Sequence, residues 1–241
     1  MRLVSFLALA AMVGTGCSDP ALEGRVVDLE QKVNNLETQI QNMPKGAAGV
    51  DAEAEKVAAG LIREAATAMR ELNYDLAKKK LAEVKSKYGT TRAARSAKQL
   101  EDQVAVIGKP AGDLKVEKWY SSAQTDFATG DATLIVFWEE WCPHCKREVP
   151  KLQKAYDDYK GKGLNMVGLT RITKSSTEEK VTEFIRTNEI TYPTAKEAGD
   201  MAEHFAVQGI PAAAMVKDGK VVWRGHPAQL NDEMIQGFLG S

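Results

Sequence analysis

At 241 residues, with 32 basic and 33 acidic side chains and 44% hydrophobic residues, the chain can build one or two domains with cores of their own. A net charge of −1 supplies neither the basic surface that draws nucleic acid nor a field that would steer an acidic substrate. Three cysteines are too few for a disulfide-stapled scaffold, and two of them, Cys142 and Cys145, are separated by only two residues.

Residues 1–16 open with Arg2, run through an apolar stretch from Leu3 to Val13 and end in Gly14-Thr15-Gly16 before Cys17. The stretch is too short to span a bilayer and reads as a secretory signal peptide. An apolar run, small residues and then a cysteine resemble a bacterial lipoprotein signal, which implies that Cys17 becomes the lipidated first residue of the mature chain. Gly14 stands where such signals usually carry leucine, and Gly14-Thr15-Gly16 also suits the ordinary signal peptidase, which would leave Cys17 unmodified. Ser18, by resemblance to lipoprotein sorting rules, points to the outer membrane. The expected place is the cell envelope, facing the periplasm, where disulfide chemistry has substrates.

From Leu22 to Met43 apolar residues alternate in steps of four and three: Leu22, Val26, Leu29, Val33, Leu36, Ile40 and Met43. This is a heptad seam with Val26, Val33 and Ile40 at a and leucine-rich d positions, the combination that favours a parallel two-stranded coil. Arg25 and Lys32 at g would meet Glu30 and Glu37 at e. Residues 17–43 are therefore expected to carry the lipidation site and a coiled-coil helix that makes the protein a homo-oligomer, a dimer ahead of a trimer. Pro44, Gly46 and Gly49 end it.

Residues 50–107 read as an all-α region. Ala54, Ala58, Leu61, Ala65, Ala68 and Leu72 form one stripe, Ala77, Leu81, Val84 and Tyr88 a second, and Ala94, Ala97, Leu100 and Val104 a third. Asp51 and Thr91 are candidate N-caps. The segment from Asn73 to Val84 weakly resembles a tetratricopeptide hairpin, although one partial repeat is no array.

After Gly108-Lys109-Pro110-Ala111-Gly112 the rhythm changes, and residues 108–241 alternate strands with helices. Strands are expected at Val116–Tyr120, Thr133–Trp138, Leu164–Leu169, Ala212–Val216 and Val221–Arg224, with Asp218-Gly219 as a hairpin turn. Helices are expected over Cys145–Lys160, after a Ser176/Glu179 capping box, and after Asn231. The order implies an α/β fold, a mixed sheet with helices on both faces. The strand Thr133–Trp138 runs straight into Trp141-Cys142-Pro143-His144-Cys145. A cysteine at a helix start is set against unpaired amides and the positive end of the dipole, which favour its thiolate. A second thiol one turn on can resolve the mixed disulfide that the first forms.

Phe137-Trp138 before Trp141-Cys142, the C-x-x-C pair, Glu148 and Pro150 after it, Gly209-Ile210-Pro211 before a strand and Asp218-Gly219 in the hairpin stand in register. Together they make residues 108–241 resemble the thioredoxin-like thiol–disulfide oxidoreductases of the TlpA/ResA type. The resemblance implies that Cys142 attacks, Cys145 resolves and Glu148 beneath them modulates their protons. It also implies that Trp141, Pro143, Ile210 and a cis Pro211 meet the client. Val136 stands where thioredoxin has a buried aspartate. His144, inside the loop, is placed to stabilise the Cys142 thiolate, and the dipeptide Pro143-His144 also occurs in the strong oxidant DsbA, whereas Glu139 and Glu140 oppose a thiolate. Electron flow is thus open between oxidant, reductant and isomerase. Expected partners are protein thiol or disulfide clients and a redox partner that recycles the pair. No cofactor is needed beyond the Cys142–Cys145 disulfide, and no metal is expected, since no second C-x-x-C exists and His204 and His226 lack ligand spacing. A peroxidase is disfavoured by the missing proline-threonine-cysteine signature. The rival from another class is an envelope scaffold whose thioredoxin-like domain only docks partners.

Overall fold

The computed structural model describes residues 31–35, 38, 52–121 and 123–240. The signal peptide, Cys17, most of the heptad seam and the Asp51 cap lie outside the described residues. Residues 31–35 and Thr38 are helical, with Val33 half exposed. The chain divides into two units, 1–50 and 51–241.

The second unit begins with four helices, α1 (Ala52–Arg70), α2 (Tyr74–Tyr88), α3 (Arg92–Ser96) and α4 (Lys98–Val106). The small residues of the stripes let α1 and α2 lie together: Ala58, Ala65 and Ala77 are fully buried, with Leu61, Leu81 and Val84 beside them. Asn73 caps α2 by accepting the Leu76 amide at 3.2 Å. Thr91 caps α3 as expected, accepting the Ala94 amide at 3.0 Å. Glu55 of α1 supports the same helix start, its carboxylate accepting from the amides of Arg92 and Ala93 at 2.9 and 2.8 Å. Leu72 is not part of the stripe. It sits in the α1–α2 turn with φ 58° and is exposed, because the helix has already ended at Arg70.

Six strands follow: β1 (Lys118–Trp119), β2 (Ala132–Trp138), β3 (Leu164–Thr170), β4 (Thr194–Lys196), β5 (Ala212–Lys217) and β6 (Lys220–Gly225). Their spatial order is β1-β4-β3-β2-β5-β6; β2–β3 and β3–β4 are parallel, the other pairs antiparallel. The remaining helices are α5 (Pro143–Tyr159), α6 (Glu178–Thr187), α7 (Asp200–His204) and α8 (Asp232–Leu239). β2 sends Leu134, Val136 and Trp138 to one face and Ile135 and Phe137 to the other, the two-residue period of a strand buried on both sides. The first face packs on Val149 and Leu152 of α5, Val181 of α6 and Ile235 and Phe238 of α8. The second packs on Met201 and Ala202 of α7 and on Phe205, Val106 and Ala111. This is the mixed α/β, thioredoxin-like sheet with helices on both faces.

The helices before the sheet join its β6 edge through main-chain bonds, Gly108 N–H to Val221 O at 2.8 Å and Val221 N–H to Lys109 O at 3.0 Å, and through the Tyr74 hydroxyl on Val222 O at 3.0 Å. The hairpin turn is as expected, with Asp218 at φ 51° and Gly219 at φ 70°. One expectation here needs correction, and two short elements were not foreseen. The capping box at Ser176 does not form; Thr177 is the N-cap and accepts the Lys180 amide, while the Ser176 hydroxyl is buried without a partner. Neither β4 nor α7 was anticipated, being only three and five residues long and too short to display a period.

Gly168 in mid-β3 lets Trp138, Tyr192 and β4 close over the sheet. A Cβ there would lie 3.0 Å from both Trp138 Nε1 and Tyr192 Cε2 and 3.2 Å from Thr194 Oγ1. All three side chains are buried and cannot step aside freely. Gly168→Ala is expected to lower stability by about 1–3 kcal/mol, read as a lower urea midpoint at unchanged slope.

Candidate active site

The site is built at the C-terminal ends of the parallel strands, where α/β sheets open their crevices. β2 ends at Trp138, and the chain turns through Glu139, Glu140 and Trp141 into α5. The turn is closed by the Cys142 amide donating to Glu139 O at 3.1 Å. Cys142 is the N-cap of α5 in an extended conformation, with Pro143 at the first helical position. Its side chain is therefore set at the mouth of the helix, where the first-turn amides are unpaired. Both cysteines are free thiols in a buried setting, Cys142 at 5% exposure and Cys145 at zero.

Burial pushes the Cys145 thiol well above its ordinary range, and the neighbouring Cys142 sulfur adds to the effect. Cys145 thus keeps its proton, while Cys142 is slightly more accessible. That asymmetry leaves the two sulfurs in chemically unlike settings. Cys142 Sγ lies 3.6 Å from Ile210 O, and the Ile210–Pro211 peptide is cis. The structure therefore brings together four of the residues singled out in the sequence, Cys142, Cys145, Ile210 and Pro211.

Others are placed differently. His144 is exposed, and its Nδ1 accepts from Arg147 Nη2 at 2.6 Å rather than meeting the Cys142 sulfur. Glu148 is partly buried, and its carboxylate pairs with Lys151 at 3.1 Å. His226, on the loop after β6, lies within the field of both Glu148 and His144; burial holds it below the usual imidazole range, and its Nδ1 accepts the Ala228 amide at 3.1 Å. The Trp141 indole is half-buried under the Lys174 ammonium, which stands 3.3 Å from its ring centroid.

What the sequence did not disclose is a buried polar network behind Trp141. Glu139, only 4% exposed, accepts from Trp141 Nε1 at 2.6 Å and from the Thr173 hydroxyl, and faces Arg171 Nη2 at 3.5 Å. Arg171 also reaches Glu197 at 3.5 Å, and Glu197 accepts the Gly199 amide at 2.6 Å. Residues following β2, β3 and β4 are thereby tied together at the rim of the site. The signal available was position: Arg171, Thr173 and Glu197 follow directly the ends of β3 and β4. Among the described residues no group of His, Cys, Asp and Glu side chains is arranged to hold a metal ion.

The Cys145 thiol has a consequence for stability. In the unfolded chain a cysteine ionises near ~8.5. The folded, reduced protein holds that proton to higher pH, so above about pH 8.5 it binds more protons than the unfolded chain and its stability falls as pH rises. The slope is at most about 1.4 kcal/mol per pH unit. The disulfide form has no such thiol, while the raised Tyr74, Tyr120 and Tyr192 hydroxyls are common to both. The melting-temperature gap between oxidised and reduced protein should move in favour of the oxidised form between about pH 8 and pH 10.

Residues 107–224 match the model of the AhpC/TSA family. Sporulation thiol-disulfide oxidoreductase A of Bacillus subtilis (strain 168) is 27% identical over 90 residues, 37% of this chain and 54% of that protein. A thiol-disulfide oxidoreductase ResA of Bacillus cereus is 30% identical over 112 residues, 46% of this chain and 62% of its own length. The chain thus spans between half and two thirds of these two curated relatives. The crystal structure of StoA from Bacillus subtilis superposes with a TM-score of 0.43 at 21% identity, covering 52% of this chain and 96% of StoA. No helix among the described residues is long and apolar enough to cross a membrane. Over residues 107–224 the chain thus has a thioredoxin-like fold, matches the AhpC/TSA family model and is similar to proteins named thiol-disulfide oxidoreductases.

Proposed function

We propose that the protein is an extracytoplasmic thiol–disulfide oxidoreductase that exchanges disulfides with protein clients through Cys142 and Cys145. The observation that carries this reading is the placement of Cys142 at the mouth of α5, its Sγ 3.6 Å from Ile210 O, with the buried Cys145 one turn behind it. In the reducing direction the Cys142 thiolate attacks one sulfur of a client disulfide, the S–S bond breaks, and the departing client sulfur takes a proton. Cys145 then gives up its proton and attacks Cys142 Sγ. This releases the second client thiol and leaves the Cys142–Cys145 disulfide. Two electrons pass from the pair to the client, and the reverse sequence oxidises a dithiol. The main chain at Ile210 is positioned to hold an extended client segment beside the sulfurs, a strand-addition mode. Trp141 and Pro143 flank that segment, His144 and Glu148 tune the proton balance of the pair, and a recycling redox partner resets it.

Lipid attachment at Cys17 and a parallel coil over residues 22–43 would hold copies of the domain at the envelope, supported by the lipoprotein-type signal and the heptad seam in the sequence. The decisive experiment is insulin reduction with dithiothreitol. Wild-type protein should accelerate precipitation of the B chain, and Cys142→Ser should return the rate to background; a scaffold that only docks partners would leave wild type and variant alike. The reduction potential then sets direction: a value near about −120 mV makes an oxidant, one near about −270 mV a reductant.

A further inference from the structure

A second feature lies at the junction of the first helices with the β6 edge. A part-enclosed cleft of about 260 Å³ opens between α1, α4, β6 and the start of α8. Arg224, on β6, lines it while being only 4% exposed. Its Nε donates to Phe205 O at 2.8 Å, and its Nη1 to Ala213 O and Gly225 O at 3.3 and 3.0 Å. All three acceptors are neutral carbonyls. Among the described residues no carboxylate pairs with this guanidinium and no acceptor meets its Nη2. A buried cation without an anion is expensive unless something supplies the charge. Burial accordingly pulls the guanidinium down to about 10.

The other polar groups of the cleft are also donors. Arg70 brings a second guanidinium from the end of α1, and Gln103 an amide from α4. Gln229 spends its Oε1 on the His226 amide at 3.2 Å, and Asn231 spends its Oδ1 on the Met234 amide at 2.8 Å. Each of these two is left with its NH₂ group for the cleft. No acidic side chain lines the cleft among the described residues, although Asp232 and Glu233 follow Asn231 directly. Trp223, Met69 and Met234 supply apolar walls.

From this convergence we propose that the cleft is a binding site for a small amphiphilic oxyanion, a carboxylate or phosphate ester whose charged head meets Arg224 Nη2 and Arg70 and whose hydrocarbon body lies against Trp223 and the two methionines. A planar, forked guanidinium is the donor best matched to either head group. The volume limits the guest. About 260 Å³ equals the liquid volume of roughly nine waters, so a ligand of about nine non-hydrogen atoms fills it, below the size of most cofactor sites. The site is separate from the cysteines and does not depend on their chemistry.

The test is isothermal titration calorimetry of the full-length chain with hexanoate, hexyl phosphate, hexanol and hexylammonium, repeated on Gln103→Glu and Arg70→Glu. Both substitutions place a carboxylate at the cleft and leave the Arg224 main-chain bonds untouched. Saturable binding of hexanoate or hexyl phosphate, at least tenfold tighter than hexanol and hexylammonium and at least tenfold weakened in both variants, supports the site, and the tighter anion identifies the head group. Equal binding of hexanol, unchanged affinity in the variants, or no saturable binding of either anion up to about 10 mM overturns it.

Discussion

Cys145→Ser is expected to convert the protein from a catalyst into a trap. Cys142 remains at the helix mouth, able to attack, but the mixed disulfide it forms has no neighbouring sulfur to release it. Resolution by Cys145 is intramolecular, from a position one turn along the same helix, whereas its replacement has to be an external thiol at millimolar concentration. Well-oriented intramolecular reactions reach effective molarities of roughly 10⁵ M or more, so turnover should fall by at least about 10³-fold while the first attack survives. Non-reducing gels of cells expressing the variant should display covalent adducts that collapse with dithiothreitol and are absent when Cys142 is also replaced. Mass spectrometry of those adducts would identify the clients. An absence of adducts, with insulin reduction undiminished, would contradict the division of labour between the two sulfurs. That division follows from burial: Cys145 is fully enclosed between β2 and α5 and keeps its proton, and only Cys142 presents itself beside Ile210.

The elements that carry this chemistry were legible because each has a strong local signal. The run from Thr133 to Trp138 is β-branched and aromatic, and β2 occupies Ala132–Trp138. Val149 and Leu152 mark the buried side of α5, and Asp218-Gly219 adopts the double positive φ its hairpin requires. Ile210-Pro211 was placed by register with a family, not by local physics. Legibility failed where the signal was not local. Nothing local marks Glu139 as buried; it is enclosed because Trp141, two residues on, and Arg171 and Thr173 from the loop after β3 meet it. His144 reads as a partner for Cys142, yet Arg147, one turn along, captures its Nδ1. β4 and α7 have too few residues to express a period, so only their neighbours in the sheet define them.

Glu139 is where the second large effect is expected. Its carboxylate is the common acceptor for the Trp141 indole, the Thr173 hydroxyl and Arg171, and its carbonyl receives the Cys142 amide. Glu139→Ala removes the hub and takes the common acceptor away from Trp141, Thr173 and Arg171. Trp141 Nε1 retains Thr173 Oγ1 at 3.2 Å, and Arg171 retains Glu197. The remaining loss is expected to cost about 1–3 kcal/mol of stability, with Trp141 fluorescence shifting as the ring is released. Glu139→Gln separates position from charge. With its amide oxygen in the place of Glu139 Oε2 it can accept from both the Trp141 indole and the Thr173 hydroxyl, so stability and fluorescence should return toward wild type. What does not return is the negative charge that acts on the cysteine pair, where, after burial, it raises the Cys145 thiol. Without it a Cys142 thiolate is favoured, the reduced form gains, and the pair becomes a stronger oxidant. A full tenfold gain for the thiolate corresponds to about 30 mV, and the Arg171 guanidinium 3.5 Å from the carboxylate keeps the shift below that ceiling. Redox titration against glutathione should therefore give Glu139→Gln a potential more positive than wild type by a measurable fraction of about 30 mV, with wild-type fluorescence. A potential unchanged in Glu139→Gln while Glu139→Ala unfolds early would make the residue a strut only. A more negative potential would mean that Arg171, released from its partner, does not act on Cys142 as a neighbouring cation must.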